Sequence, residues 1–404
     1  MSQASATLVQ HSMSPNPNWA QLPLFDRSKW ETVTFGDVVK CLKEQVDPES
    51  GEVERYVAGE HMDSADVHIR RWGTVGDGYL GPAFIRRFRK GQVLYGSRRT
   101  YLKKVSVADF DGVTANTTLV LEAKEGLLQD LLPWIMLSDK FTEHSVRESK
   151  GSVNPYINWS DIAWFEFALP PLDQQRRIAE VLWAVDETLE GYRAVGLANH
   201  SAQVRLREAH FERAVQETDT VSVAEAGKWV TGNTPSRQDP ANWTGEYPWV
   251  SPKDMKVDVL HDTEDHLSEQ GVDLATVVPA GSLMIVVRGM ILAHTFPVCM
   301  TARDMAFNQD MKTLIPNDRF KVEYMFHWFK WLSKPILGKT STTSHGTKRL
   351  MMDDFTDFPL PQTTIEGQER FIVHMKQFDE VAQTLENAQK ALLNQRMALI
   401  ASVT

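Results

Sequence analysis

The chain has 404 residues, 42% of them hydrophobic, and a formal net charge of −10. This length is enough for two or three domains with cores of their own. There are only two cysteines, Cys41 and Cys299, and no apolar run approaches the roughly 20 residues that a membrane helix needs. Composition therefore argues against a disulfide scaffold, a cysteine-based metal cluster and a membrane protein, and it favours a reducing cytoplasm.

The first predicted domain follows a polar segment. Residues 1–24 are rich in Ser, Asn and Pro and lack the apolar stretch of a signal peptide, so we predict a flexible tail. Residues 25–168 mix strand-like and helical patterns, with strand signals at 92–95 and 118–121. The pattern predicts a first domain that contains both helices and strands.

The segment 169–218 predicts a long helix. Its apolar residues recur with a spacing of seven, interrupted at Asn199, and a second set fills the other half of the seam: Ile178, Val185, Tyr192 and Leu206, with Leu182 and Leu189. This spacing is typical of a coiled-coil seam.

The second half of the chain repeats this order. Residues 219–361 again contain strand-like runs, at 283–287 and 311–314, and residues 362–404 predict a second long helix. In this helix the spacing of seven is unbroken, and two further residues fill the other half of the seam: Phe371, Phe378, Leu385, Leu392 and Leu399, with Met375 and Ala382. Two helices packed on each other would produce these seams, and so would two helices packed on their own domains.

The two helices are copies of one another. Gln175 and Gln368 are 193 positions apart (368 − 175), and so are Asp186 and Asp379 (379 − 186). The same offset carries the first seam onto the second, which indicates a tandem duplication. The predicted fold class is α+β: two domains of mixed α/β type, each followed by a long helix, with the helices packed as an antiparallel coiled coil of pseudo-twofold symmetry.

The order of features inside the two domains also matches. Each has a glycine turn, a strand and then an arginine, which is Arg98 in the first domain and Arg288 in the second. Each closes with a helical stretch and a glycine-containing loop, at Gly151 and Gly346. The residues between these features differ, so we expect one scaffold whose surface has diverged.

The junction before each helix carries a recognisable motif. Residues 169–178 read LPPLDQQRRI with Asp186 behind them, and a looser copy, FPLP at 358–361, precedes Gln368 and Asp379. Two such junctions behind two mixed domains resemble the specificity (S) subunits of Type I restriction–modification systems. The segments YVAGEHM (56–62) and GNTPS (232–236) are similar to parts of their target recognition domains, and the resemblance covers about residues 30–404.

The resemblance implies a DNA-binding subunit without chemistry of its own. Each domain is expected to read one half of a split, asymmetric double-stranded DNA target in the major groove, while the helices set the spacer and dock two methyltransferase (M) subunits. Two restriction–translocase (R) subunits can join this assembly. No cofactor is expected in this chain: S-adenosylmethionine would belong to the M subunits, and ATP and Mg to the R subunits. The expected location is the cytoplasm of a bacterium or archaeon.

Candidate DNA contacts come from local side-chain chemistry, because the chain as a whole is acidic. Arginine pairs with guanine, and asparagine or glutamine with adenine, so Arg98, Arg288 and the pair Asn308–Gln309 are the candidate base readers. The alternatives are an ion pair within the domain for each arginine and a turn cap for the amides. Tyr101 packs either on a sugar or, as we expect, in the core. The remaining candidates are expected to contact phosphates or line polar loops, with solvation or ordinary turn chemistry as the alternative: Arg86, Arg87, Arg99, Lys103, Lys104, Thr234, Ser236, Ser251, Lys253 and Lys348.

Residues that recur in both helices are expected to serve both copies alike. Helix N-terminus chemistry and docking of a partner subunit both fit, whereas reading DNA does not, because the two half-targets should differ. The candidates are Gln175, Arg177, Ile178 and Asp186 in the first copy, with Gln368, Arg370, Phe371 and Asp379 in the second. The residues that interrupt the seams are predicted to mark local bends or exposed positions: Gly196, Asn199, Gln203, Gln389 and Arg396.

Catalytic motifs are missing where an enzyme would need them. Residues 154–156 (NPY) lack the second proline of an adenine methyltransferase motif, and residues 346–348 (GTK) lack the rest of a phosphate-binding loop. One alternative is a self-sufficient modification enzyme with an unrecognised site, which predicts catalysis by the chain alone. Another is a coiled-coil scaffold whose domains bind proteins, which fits the acidic charge and predicts no salt-dependent DNA binding.

Overall fold

The protein is described by a computed structural model that covers residues 25–343 and 346–404. The tail predicted at 1–24 lies outside the described residues. The chain divides into two compact units: unit 1 comprises the residues up to Arg193 together with Asn387–Thr404, and unit 2 comprises Ala194–Glu386. Each unit therefore holds one domain and one part of each long helix.

Within residues 25–193, the domain of unit 1 is built from ten strands and four short α-helices, followed by the first long helix. Its strands are β1 (Glu31–Thr34), β2 (Val39–Leu42), β3 (Arg55–Val57), β4 (Gly73–Thr74), β5 (Phe84–Phe88), β6 (Val93–Gly96), β7 (Val105–Val107), β8 (Gly112–Ala115), β9 (Thr118–Ala123) and β10 (Glu166–Leu169). Its helices are α1 (Phe35–Val38), α2 (Leu132–Leu137), α3 (Asp139–Arg147) and α4 (Trp159–Ala163), and α5 (Leu172–Glu217) continues into unit 2.

The domain of unit 2 follows the same plan with a few additions. Its strands are β11 (Thr220–Ser222), β12 (Gly227–Thr231), β13 (Tyr247–Val250), β14 (Val259–Leu260), β15 (Asp265–Leu267), β16 (Val277–Val278), β17 (Leu283–Val286), β18 (Val298–Thr301), β19 (Met305–Phe307), β20 (Met311–Pro316), β21 (Ser341–Thr342), β22 (Lys348–Arg349) and β23 (Pro359–Pro361). Its helices are α6 (Glu269–Asp273), α7 (Val322–Trp331) and α8 (Ser333–Gly338), and α9 (Ile365–Ala401) ends in unit 1.

The strand order is duplicated as well as the helices. In unit 1 the two main sheets have the orders β2-β9-β6-β7 and β4-β3-β8-β5. The corresponding sheets of unit 2 have the orders β12-β20-β17-β18 and β15-β13-β19-β16, and β14 is added to the first of them beside β18. In the second sheet of each unit the pairing of the two central strands is parallel, β3 with β8 and β13 with β19. An antiparallel pair, β1–β10 or β11–β23, joins the start of each domain to its end. Both units are therefore mixed α/β domains of one topology.

The ends of the long helices belong to the domain cores. In unit 1 the core includes Ile178 and Leu182 of α5 together with Ile400 of α9. In unit 2 it includes Phe211 of α5 and Phe371 of α9. Burying side chains of this size stabilises a fold by about 1.5–3 kcal/mol each. Near their ends the helices therefore pack on the domains, which is one of the two arrangements that the sequence left open.

The helices also contact each other inside each unit. In unit 2 the side-chain amide of Asn199 donates to the carbonyl oxygen of Phe378 (2.9 Å), and His210 stacks on Phe371 with 4.1 Å between ring centroids. Later residues of α5 thus meet earlier residues of α9, so the two segments run antiparallel within this unit. In unit 1 a guanidinium nitrogen of Arg396 lies 2.6 Å from Oδ1 of Asp186.

Three of the residues that interrupt the seams are not exposed positions. Asn199, Gln203 and Arg396 are half-buried, and each donates a hydrogen bond across to the other helix. A polar side chain within a seam can be satisfied there when the facing helix supplies an acceptor. The helical pattern of α5 is continuous through Asn199 and Gln203.

A buried glutamine fixes the start of each long helix to its own domain. Gln175 accepts a hydrogen bond from the backbone N–H of Leu128 (2.8 Å) and donates to the carbonyl oxygens of Gly126 (2.7 Å) and Pro170 (2.8 Å). The side chain bridges the loop before α2 and the turn before α5, and the residue is only 1% exposed.

The second copy of this contact lies at the same offset. Gln368, which is 0% exposed, accepts from the backbone N–H of Lys321 and donates to the carbonyl oxygens of Arg319 and Thr363, all at 2.8 Å. The partners, like the glutamines, are 193 positions apart (321 − 128, 319 − 126 and 363 − 170). A buried amide with all three bonds made is costly to replace, because each partner would be left unsatisfied. We refer to this contact as the glutamine clasp.

Replacing Gln368 by alanine should destabilise unit 2. The substitution leaves one backbone donor and two carbonyl acceptors without their partner, and we expect the free energy of unfolding to fall by about 2–3 kcal/mol. Urea denaturation followed by circular dichroism measures the change. Gln362→Ala, at an exposed position a few residues earlier, is the matched control and should have little effect. Equal midpoints for Gln368→Ala and the wild type would show that the clasp does not stabilise the fold.

Candidate nucleic-acid interface and helix contacts

The arginine predicted to read DNA in unit 1 lies on a bonded edge. The backbone of Ser97 forms hydrogen bonds to two neighbouring segments. Its N–H donates to the carbonyl oxygen of Thr117 (3.2 Å), and its carbonyl oxygen accepts from the N–H of Ile157 (2.9 Å). The N–H of Arg99 donates to Pro155 O (2.7 Å). We call the segment 97–99, Thr117 and the hairpin 150–156 the Arg98 edge.

The same frame surrounds Arg288 in unit 2. The N–H groups of Val287 (2.9 Å) and Arg288 (3.1 Å) donate to Asp310 O, and Leu350 N–H donates to Val287 O (2.9 Å). The N–H of Gly289 donates to Lys348 O (3.0 Å). We call the segment 287–289, Asp310 and residues 348–350 the Arg288 edge. The two predicted readers therefore occupy equivalent positions, with three corresponding backbone bonds around different side chains.

The side chains of these two arginines are available to a ligand. Arg98 is exposed, and it forms no ion pair within residues 25–343 and 346–404. The Nε atom of Arg288 is 4.0 Å from a carboxylate oxygen of Asp310, at the limit of an ion pair, and its side chain is 49% exposed. A surface pair of this length contributes little, so it would not prevent contact with a base or phosphate.

Part of the basic run in unit 1 is neutralised by ion pairs within the domain. Arg87 pairs with Glu52 (2.7 Å), and Lys103 pairs with Asp139 (2.7 Å). Lys104 donates to Gly59 O, and one terminal nitrogen of Arg86 is buried. Arg87 and Lys103 are therefore less free to contact phosphates than their sequence suggests, whereas Arg86 and Lys104 form no ion pair within the described residues. Tyr101, which we expected in the core, is 56% exposed, so that expectation is wrong.

Polar candidates of unit 2 lie partly on the Arg288 edge and partly in turns. The hydroxyl of Thr234 donates to Oε1 of Gln309 (2.5 Å), the residue before Asp310. Lys348 lies in β22, and its carbonyl oxygen accepts from the N–H of Gly289. The side chain of Asn308 accepts from the N–H of Asp310 (3.1 Å), so it caps the turn, as the alternative reading held.

The remaining polar candidates of unit 2 are engaged within the domain. Ser251 donates to Asp254 (2.9 Å), and Ser236 accepts from the N–H of Gln238 (3.3 Å), which is ordinary turn chemistry. Lys253 forms ion pairs with Glu264 (2.9 Å) and Asp265 (3.1 Å).

The recurrent aspartates link the two helices in a related way. In unit 1 Asp186 binds Arg396, and in unit 2 Asp379 accepts from Gln203 Nε2 (2.7 Å). Gln203 and Arg396 are themselves 193 positions apart (396 − 203), so the same pair of positions makes both contacts. Only the chemistry differs, a charged pair in unit 1 and a neutral donor in unit 2. The offset of 193 residues between the two donors is visible in the sequence, although both donors interrupt the apolar seam.

Unit 1 adds a histidine to its aspartate. His68 Nε2 lies 2.6 Å from Asp186 Oδ2, and nearby Arg70 bonds Glu190 of α5 at 2.7 and 2.5 Å. Burial disfavours the protonated imidazole, but the hydrogen bond and charge of Asp186, with the charges of Glu190 and Asp66, outweigh it and raise the pKa of His68 above its ordinary value. Neither His68 nor Arg70 was singled out from the sequence, because nothing local marks them.

The other recurrent residues divide between core and surface. Ile178 and Phe371 are buried in their domain cores. Arg177 lies over Asp173, its side chain is 11% exposed, and one of its terminal nitrogens is buried. Arg370 is exposed. The glutamines hold each helix start to its own domain. Surface contacts with a partner subunit remain open to Arg370 and to the small exposed part of Arg177.

Two further features bear on the kind of site. Within the described residues, His, Cys, Asp and Glu side chains form no group of three that could hold a metal ion. In the same part of the chain, no helix combines the length and the apolar character that crossing a membrane requires.

A known protein family matches both halves of the chain. The family model of the Type I restriction modification DNA specificity domain matches residues 27–194 and 216–395. The matches together cover most of the chain, one for each duplicated half, and the chain belongs to this family.

Curated relatives resemble parts of the chain. The EcoR124I/EcoR124II specificity subunit of Escherichia coli is 30% identical over 172 residues, which are 42% of this chain and 43% of that protein. The MjaIX specificity subunit of Methanocaldococcus jannaschii is 21% identical over 193 residues, 46% of this chain and 43% of that protein. The chain thus spans less than half the length of each of these relatives.

Solved structures share the fold over almost the whole chain. The S subunit of a Type I restriction–modification system from M. genitalium superposes with a TM-score of 0.56 at 15% identity, covering 95% of this chain and 98% of that one. A chain from a structure that describes complex assembly and conformational transition of the type I R-M system gives a TM-score of 0.62 at 19% identity, covering 93% and 97%. At such identities the likeness shows the two-domain fold.

The histidine contact predicts a pH dependence of unit 1. A folded-state pKa above the ordinary value of about 6.5 means that the contribution of His68 is fully present below that value and is lost as pH rises through the raised pKa. The Tm of the wild type minus that of His68→Gln should therefore decrease between about pH 6 and pH 9 in differential scanning fluorimetry. A difference that stays constant over this range would contradict a protonated His68 in the folded protein.

Proposed function

We propose that this chain is the non-catalytic DNA-recognition subunit of a Type I restriction–modification complex, with each domain reading one half of a split, asymmetric target. The observation that carries the proposal is the pair of Arg edges. One backbone frame recurs in both domains, and the side chains on it differ. Such a pair can present two different base-reading surfaces from one scaffold, which is what a split target with unlike halves requires.

The long helices would set the distance between the half-targets. We infer an antiparallel coiled coil of pseudo-twofold symmetry from the matched aspartate contacts and from the direction of α5 and α9 within unit 2. A continuous α5 of 46 residues would act as a rigid spacer, because helix length fixes the rise at about 1.5 Å per residue. Adding or removing residues in both helices would change the number of unspecified base pairs.

The recurrent surface near the two helix starts would dock the M subunits. Arg177 and Arg370 occupy the same position of the repeat, two residues after the glutamine of each clasp. A duplicated surface suits two identical partners. In the assembly S-adenosylmethionine would be bound by the M subunits, and ATP and Mg by any R subunits, in the cytoplasm of the host.

The net charge of −10 fits a division of labour within the complex. This chain would supply groove contacts at the Arg edges, and the M subunits would supply much of the positive charge along the duplex. DNA affinity of the complex should then fall steeply with salt, because bound phosphates release counterions. The isolated chain should bind DNA much more weakly than the complex does.

Single-molecule methylation mapping tests the proposal. A methylation-free host expressing this chain with its M subunit should acquire N6-methyladenine in both halves of one split motif, and the motif should vanish when this gene is deleted. A methylation pattern that does not depend on this chain would overturn the proposal and favour a protein-binding scaffold. Methylation or cleavage by the purified chain alone would instead favour a self-sufficient enzyme.

Replacing Arg98 should weaken base discrimination in one half of the motif, and replacing Arg288 should weaken it in the other half. A base-reading arginine contributes about 1–3 kcal/mol to discrimination, so Arg98→Ala should reduce it roughly tenfold at one position, and Arg288→Ala should do so in the other half. Mapping of each variant gives the readout. Arg213→Ala is the control, because Arg213 lies on α5 with its side chain 68% exposed and pairs only weakly with Glu217. If each variant instead lowered methylation without changing the base preference in either half of the motif, the arginines would be contacting phosphates and not bases.

A further inference from the structure

The Arg98 edge ends in a hairpin that carries an unusual side chain. Lys150 and Tyr156 exchange backbone hydrogen bonds of 2.8 and 2.9 Å, and Gly151 takes a φ of +92°. The tip contains Ser152 and Asn154, which are usual turn residues, together with Val153.

Val153 gains nothing from folding. It is 92% exposed, so its side chain buries almost no area in the free protein, and β-branched residues are not favoured in turns. Single exposed apolar residues are common on protein surfaces and need no explanation by themselves. This one lies on the hairpin that bonds the Arg98 segment. Tyr156 of the same hairpin is 42% exposed, and Tyr101, three residues after Arg98, is 56% exposed. Apolar groups next to an exposed, unpaired arginine form a surface suited to base edges, which offer both polar atoms and methyl groups.

The backbone next to the hairpin is held in an unfavourable conformation. Arg99 has a φ of +52°, in the left-handed region that disfavours residues other than glycine. On the Arg288 edge the residue in the same backbone bond is Gly289. Unit 1 therefore keeps an arginine at a position where its duplicate has glycine, and strain of this kind is often retained for a functional side chain.

The side chain of Arg99 contacts the hairpin tip. Its Nε donates to Oδ1 of Asn154 at 3.3 Å, and its backbone N–H bonds Pro155. Arg99 thus holds the residues on the C-terminal side of Val153 from two atoms. This makes Arg99 a positioning residue for the tip.

We propose that the hairpin tip 152–154 enters the major groove at the half-target of unit 1, and that Val153 reads a thymine through its 5-methyl group. The inference rests on the proposed function and adds the base chemistry of one half. Among the bases, thymine alone presents a methyl group in the major groove, and an aliphatic side chain is its natural partner. The Arg288 edge has no part in this contact.

The first test compares motifs. Methylation of a host genome is mapped for three versions of the full chain, each expressed with its M subunit: the wild type, Val153→Ala and Val257→Ala. Val257, a valine of unit 2 that is 51% exposed, is the control position. Val153→Ala should lose discrimination at one A·T position of one half-target and keep the other half, and Val257→Ala should give the wild-type motif. An unchanged Val153→Ala motif, a half-target without A·T pairs, or a uniform loss of methylation without a change of motif would each overturn the inference.

The second test removes the methyl group from the DNA. At the position that Val153→Ala identifies, thymine is replaced by uracil, which keeps the base-pairing edge. Wild-type complex should bind the uracil duplex about three- to fivefold more weakly, the effect of one buried methyl group, and Val153→Ala should bind both duplexes alike. Equal wild-type affinity for the two duplexes would refute the methyl contact. A wild-type complex that gives no split motif would instead refute the proposed function, so the two failures are distinguishable.

Arg99→Gly tests the positioning role separately. Glycine relieves the backbone strain, so the Tm should not fall, while discrimination at the same A·T position should decrease. A lost phosphate contact would instead weaken binding to all sequences alike and leave the ratio of thymine to uracil affinity unchanged. A ratio equal to that of the wild type would therefore rule out Arg99 as a positioning residue.

Discussion

One buried amide at the start of each long helix is the contact on which the architecture depends. Gln175 and Gln368 each tie the first turn of a helix to the loop that precedes a core helix of the same domain. Because all three bonds of each side chain are satisfied away from water, the direction of the helix with respect to its own domain is set by the fold. This requirement for the clasp explains physically why the same junction glutamine stands at the start of both long helices.

The helix contacts show how a duplicated position can diverge without losing its place. Asp186 faces a guanidinium and an imidazole, whereas Asp379 faces an amide. A buried ion pair carries a desolvation cost that a neutral donor avoids, so the two contacts differ in energy even though their geometry corresponds. Burial raises the pKa of Asp379, and the hydrogen bond from Gln203 only partly offsets this. The pH sensitivity of the helix contacts is therefore expected to differ between the units.

The two Arg edges follow the opposite rule, because there the backbone is shared and the side chains are free to change. Backbone bonds to Thr117 and Asp310 hold corresponding segments in place whatever side chains they carry. Unit 1 presents Arg98 with exposed apolar groups, and unit 2 presents Arg288 with Thr234 and Gln309. A scaffold that is bonded through its main chain tolerates substitution of its surface, and this is the physical basis on which one fold could recognise unlike DNA sequences.

The sequence by itself determined the duplication, the long helices and the two central strands of one sheet in each domain, because offset and periodicity are written along the chain. It also placed Arg98 and Arg288 at corresponding positions. The tertiary structure alone decided which charges are free. Arg87 is neutralised by a glutamate 35 positions away, and Arg396 is satisfied by an aspartate 210 positions away, so neither pairing can be read from neighbouring residues. The exposure of Val153 likewise depends on how its hairpin bonds the Arg98 segment, since folding brings these distant segments together and the local pattern does not record it.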